Sequence, residues 1–365
     1  MDKLKNLNAT TRKNLVTYAM VVVLFVVMQS LSAAKAISSS TTGLLVPITA
    51  YICLAISLNL VVGISGELSL GHAGFMSVGA FTGVIVASML AEAMPVGWIR
   101  LLVSMLVGGA FAGLAGFVVG VPVMRLHGDY LAIVTLAFGE IIKNLLNNLY
   151  AGFDASGLHL SMTNAQALGM DGGKIVINGP QGAVGIAKLS NFTMGFLLVL
   201  FTLFVVLNLV NSRTGRAIMA VRDNRIAAES VGINTTKYRL IAFVVSAALA
   251  GMAGALYAQN FSSIVPKKFD FNTSILILVF VVLGGMGNIR GGIIAAIVLT
   301  ILPEKLRFIG DFRMLMYAIV LITVMLVTNN RTIQSKLGDL RTRLRRRGDD
   351  QAAEAADAEG GASHE

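Results

Sequence analysis

Long apolar runs broken by short polar connections dominate the chain. Ten runs read as membrane-crossing helices, at about 15–34, 44–62, 67–91, 99–122, 129–149, 192–211, 239–259, 272–287, 291–303 and 313–329. About 20 apolar residues cross a bilayer core as a helix. Backbone groups find no water there, which leaves helices and closed barrels as spanning structures. A barrel would alternate apolar and polar residues over short segments. Blocks such as Phe196–Leu209 and Ser274–Leu283 show no such period. The second of these is rich in Ile and Val and would suit a buried strand if isolated; its membrane neighbours favour helix. The expectation is an all-α integral membrane protein, with the third and ninth segments broken or tilted by Gly, Ser or His.

Composition agrees with that class. Of 365 residues, 55% are hydrophobic and only 13% charged, against about 25% charged in a soluble domain. Glycine (38) far outnumbers proline (6), which suits closely packed membrane helices. The single cysteine, Cys53, sits in an apolar run and reads as a small buried hydrophobe.

The net charge of +10 is an orientation signal, not a nucleic-acid signal. Nineteen of the 29 Lys and Arg fall on the side holding both termini, nine fall on the other side, and Lys143 lies within a segment. An excess of Lys and Arg marks the cytoplasmic side. Residues 1–14 are then a cytoplasmic N-terminus, 15–329 the membrane domain and 330–365 a cytoplasmic tail. That tail is basic over Arg341–Arg347, then rich in Ala, Gly, Asp and Glu, a composition expected to be disordered. The first 36 residues have the outline of a signal peptide, with Ala34-Lys35-Ala36 at the cleavage position. The apolar stretch is long for one, so retention as the first helix is expected.

Two connections stand out. Residues 150–191 form an outer loop rich in Gly, Asn and Asp. Residues 212–238 form a basic, amphipathic cytoplasmic loop. In the latter, Ile226, Ala227, Ser230 and Val231 share one helical face, and a short helix ending near Gly232 is expected. Ala227 and Ala228 would let a partner's backbone approach closely; the alternative is a helix lying on lipid headgroups.

Candidate chemistry is sparse. No GxxxxGK[ST] phosphate loop occurs, so ATP hydrolysis is not expected of this chain, and no cofactor or metal is expected. Glu140, Lys143, Asn144 and Asn147 fall on one face of the fifth segment. They form a polar stripe that lines a pathway or meets a neighbouring helix or subunit. Gly66, Ser69, Gly71, His72 and Gly74 open the third segment, either as a partly unwound gate or as close packing. Gly108, Ala112, Gly116 and Gly120 in the fourth segment, and Ser246, Ala250, Gly254 and Ala258 in the seventh, read as close-approach faces. Gly63–Gly66 and Gly284–Gly287 each follow an apolar run and hint faintly at two related halves.

The run Ala227-Ala228 followed by Gly232 resembles the coupling loop of permeases in ATP-binding-cassette importers, with Ile226 where the acid of that motif stands and Glu229 nearby. Arg222-Asp223-Asn224-Arg225-Ile226-Ala227-Ala228-Glu229-Ser230-Val231-Gly232-Ile233 is similar to the M-type permeases of branched-chain amino-acid import systems. So are Gly66–Phe75, Gly128–Ile141 and Gly284–Gly291, and the likeness runs from about 44 to 329. Permeases for urea and short amides share much of the pattern.

The resemblance implies a non-catalytic transport subunit in a bacterial inner membrane. Its expected partners are a second permease, two cytoplasmic ATPases and an extracytoplasmic solute-binding protein, with lipid around it. An ion-driven secondary transporter is the rival class. It would carry several unpaired charges at mid-membrane, where only Glu140 and Lys143 stand.

Overall fold

The structure, a computed structural model, describes residues 9–34, 39–125, 130–154, 157–170 and 173–329. Residues 1–8, the tail 330–365, the cleavage position at Lys35-Ala36 and the motif start Gly128-Asp129 lie outside the described residues. The chain divides into two compact units, Met1–Glu304 and Lys305–Glu365.

The first unit opens with α1 (Ala9–Ala33) and α2 (Ser39–Asn59), and α2 runs into a π-helical turn, Leu60–Ile64. Next come α3 (His72–Met89), α4 (Gly97–Val123) and α5 (Tyr130–Asn147). After a strand-bearing connection the chain forms α6 (Phe192–Asn211), α7 (Arg213–Asp223), α8 (Arg225–Ser230) and α9 (Thr235–Ala258). Then follow α10 (Phe271–Gly284) and α11 (Ile289–Lys305). Among the described residues, the second unit holds a 3-10 stretch, Leu306–Phe312, and α12 (Arg313–Asn329).

A helix occupies each of the ten expected ranges. Seven of them are long and apolar enough to cross a membrane; α10 is apolar but has 14 residues. The third range becomes helical only at His72, after a non-helical stretch over 65–71. The ninth is unbroken over Ile289–Lys305, and its break comes before it, at Gly285 and Gly287, where φ is 88° and 80°.

Small residues explain how α3, α4 and α9 pack so tightly. A Cβ at Gly79 would collide with the backbone of Gly251, and one at Gly254 with the Met76 carbonyl. Side chains there would force the helices apart, which is why small residues mark membrane helix contacts. The expected stripe on α9 proves to be one of two close faces. Gly254 meets α3, and Ser246 donates to the Ser57 carbonyl of α2 at 2.5 Å; Ala247, Ala248 and Gly251 meet α4. The α2 helix is sequestered among the others along almost its whole length.

The all-helical expectation needs correction at the 150–191 connection. It carries β1 (Tyr150–Asp154), β2 (Gly157–Ser161), β3 (Lys174–Asn178) and β4 (Ala183–Val184). These join β5 (Ser263–Ile264) in an antiparallel sheet of order β2-β1-β3-β4-β5. Pairing satisfies backbone groups that an unpaired loop would leave to water. Ala183 opposite Ile264 ties this region to the end of α9. Ile175, Val176 and Ile177 are β-branched, a strand preference that average composition concealed.

Candidate functional site

The 212–238 connection forms two short helices with clear starts. Ser212 caps α7 by accepting from the Gly215 N–H at 3.1 Å, and Asn224 caps α8 by accepting from the Ala227 N–H at 3.0 Å. Side-chain oxygens at this position satisfy amides that lack a partner inside the helix. After α8 the chain leaves through Gly232, whose φ of 84° is left-handed and open to glycine at little cost. A single capped turn of helix therefore ends where the pattern predicted.

Its orientation differs in one respect. Ala228, expected at a partner contact, is 3% exposed and turned into its own chain. The exposed face carries Ile226, 81% exposed, Ala227 and Val231, 75% exposed. Asn224 fixes the rotation of so short a helix, and Ala228 packs because its small side chain fits beneath it. Arg225 and Glu229 pair across the exposed side at 3.0 Å, and Arg222 pairs with Asp223 at 2.8 Å.

Arg222 also reaches back into the membrane domain. Its guanidinium donates to the Gly63 carbonyl at 3.3 Å, and its aliphatic stem lies over Gly66. A Cβ at Gly66 would sit 2.7 Å from Arg222 Cγ, and φ there is 76°, so glycine is needed twice over. Glu67, two elements away in sequence, pairs at 2.5 Å with Arg239 near the start of α9. Arg239 is 4% exposed and also donates to the Met124 carbonyl at the end of α4. No local pattern points to this buried ion pair, whose members are 172 positions apart.

The glycine-rich stretch then meets α5. The Leu70 N–H donates to Thr135 Oγ1 at 3.1 Å; a Cβ at Gly71 would strike the Thr135 carbonyl, and one at Gly74 would lie 2.9 Å from the Gly139 Cα. Ser69 is 2% exposed, with its hydroxyl unpartnered. His72 is buried against Ser57, Nε2 to Oγ 2.9 Å, and packs rather than opening to a path. The two glycine turns also meet: the Gly287 N–H donates to Asn59 Oδ1 at 2.8 Å, beside Gly63.

On α5, Glu140 and Lys143 form an ion pair, and Asn144 is exposed. The stripe lies on the open side of this chain and not between its own helices. Hence α8, the glycine stretch and the stripe form one connected series through Arg222, Gly66, Gly71 and Gly139.

Residues 40–328 match the family described as the branched-chain amino acid transport system permease component. This chain belongs to that family. With the apolar helices described above, that makes it a multi-pass membrane protein. The high-affinity branched-chain amino acid transport system permease protein LivM of Salmonella typhimurium (strain LT2) is 36% identical over 244 residues, 62% of this chain and 54% of that protein. LivM of Escherichia coli K12 gives the same figures. The nucleoside ABC transporter permease protein NupC of Lactococcus lactis subsp. cremoris is 30% identical over 213 residues, 54% of this chain and 60% of that protein. LivH of Escherichia coli K12 is 28% identical over 231 residues, covering 59% and 68%. The chain spans about half the length of the LivM relatives. No solved structure matches it.

Proposed function

We propose that this permease is the membrane subunit of an ATP-driven importer for branched-chain amino acids, sited in a bacterial inner membrane. The observation that carries the reading is α8: a capped helical turn with Ile226 and Val231 exposed beside Ala227. An apolar knob rimmed by charges suits the groove of a protein partner. Two cytoplasmic ATPases fill that role and hydrolyse the ATP, while this chain is non-catalytic. Their closure pushes on α8, and Arg222 passes the motion to the glycine stretch against α5. Alternating access needs rigid elements that switch between two arrangements, and the non-helical stretch over 65–71 supplies the give.

A second permease covers the open face of α5, where Glu140, Lys143 and Asn144 would otherwise meet lipid. A solute-binding protein delivers substrate at the sheet end. In this reading ten helices cross the membrane and both termini are cytoplasmic.

The test is import of L-leucine by proteoliposomes holding this chain with its ATPases and binding protein. ATP-driven uptake is expected. Ala227→Trp should abolish it while leaving the chain inserted and unable to retain the ATPases. Normal uptake by that variant would remove α8 from the coupling role. Uptake of adenosine in place of leucine would change the substrate.

A further inference from the structure

At the sheet end the first unit holds a cavity of about 730 Å³ between the end of α3, the start of α4 and the strands. Ligand sites for small molecules typically measure about 300–1,000 Å³ and combine apolar walls with a few placed polar groups. This cavity has that make-up. Val84, Ala87, Met89 and Ile186 supply apolar wall, and Arg100 and Glu92 supply opposite charges.

The charges balance. Arg100 and Lys174 are cations and Glu92 and Asp154 are anions, and Asp154 is already held by His159 at 3.0 Å. Arg100 matters most. Its Nε is buried without a hydrogen-bond partner. A buried unsatisfied donor on a charged group is costly, so a guanidinium left open towards a cavity is poised for an anionic oxygen. A simple anion would call for a lining of one sign. A balanced lining with aliphatic wall suits a molecule that carries both signs and a hydrocarbon branch.

We infer that this cavity is a binding subsite for a zwitterionic aliphatic α-amino acid, with Arg100 taking the carboxylate, Glu92 the ammonium and the Val84–Met89 wall the side chain. The subsite rests on the transport reading above. It would hold the solute after its release by the binding protein and before entry between the permeases. Arg100 sits where both helices meet the sheet, at the opposite end of α3 from the glycine stretch, so occupancy here precedes any passage along α5.

The test uses photo-leucine, a leucine analogue with a side-chain diazirine, on the full chain in nanodiscs. Irradiation should place adducts in the peptides containing Val84–Met89 or Ile186–Ala187. L-leucine should compete. Neither 3-methylbutylamine, which lacks the carboxylate, nor 4-methylpentanoate, which lacks the ammonium, should compete comparably. Arg100→Met should lower adduct yield at least ten-fold without moving the unfolding temperature. Equal yield in that variant would overturn the subsite, as would equal competition by either half-molecule on the unaltered protein; the second measurement stands even if the variant misfolds. Leucine import by the assembly is measured in parallel. Import without adducts at this wall sinks the subsite and leaves the transport reading intact. Adducts with full competition but no leucine import sink the transport reading and leave the subsite.

Discussion

The two ends of the first unit handle charge in opposite ways. At the α7–α8 end the cations are already engaged: Arg222 with Asp223 and Gly63, Arg225 with Glu229, Arg239 with Glu67 and Met124. What remains open there is apolar, chiefly Ile226 and Val231. At the sheet end the helices leave a cavity into which Arg100 turns a guanidinium nitrogen with no partner. One end is a finished knob whose polar groups serve its own shape. The other is a recess whose polar groups await something else. A partner that docks and a solute that visits ask for these two solutions.

The sharpest way to break that contrast is to remove one arginine from each end. Arg239→Met strands Glu67 in a mostly buried position, and breaking such a pair typically costs about 3–5 kcal/mol. Arg100→Met removes a group that has no partner to strand, and stability should change by under about 1 kcal/mol. Thermal unfolding in detergent reads both. Equal losses would mean that Arg100 has structural partners after all.

Arg222→Ala should have the next largest effect, and on coupling more than on folding. The variant should insert and bind its ATPases, whose hydrolysis should no longer rise when loaded binding protein is added. A retained response would show that the push on α8 travels by another route.

Along α5, the paired charges predict compensation. Leucine uptake by the Glu140→Ala, Lys143→Ala double variant should exceed that of the worse single variant, because neither charge is left alone. Summed defects would dissolve the pair, as a double-mutant cycle reads it.

Smallest of all, Glu229→Gln should shift the unfolding free energy by only about 0.2–1 kcal/mol, since Arg225 and Glu229 pair in water. A larger loss would show that the α8 rim contributes to the fold and not merely to solubility.

Hydrophobic runs made the helices legible, because a membrane demands long apolar segments and nothing else in the chain resembles them. The end of α8 was legible too, from Asn224 and Gly232, since caps are local chemistry. The sheet was not. Its strands are at most five residues long, and β5 lies some 80 positions from β4's neighbours in β3. Burial of Ala228 escaped for a related reason: on a six-residue helix one residue of rotation exchanges inside for outside, and no hydrophobic count resolves that. Glu67 and Arg239 looked like ordinary charges near segment ends. Only the fold brings them together.

The π-helical turn at Leu60–Ile64 has a consequence for how this lineage tolerates change. Such a turn is what an α-helix becomes when it absorbs one surplus residue. Striking out a single codon there would restore regular winding and swing everything beyond it by about 100°. Glu67 would lose Arg239, and Gly66 would slide from beneath Arg222. Substitutions within Leu60–Ile64 alter side chains alone, whereas a change of length would dial the whole junction out of phase. This segment should therefore drift in letters across descendants while keeping its count.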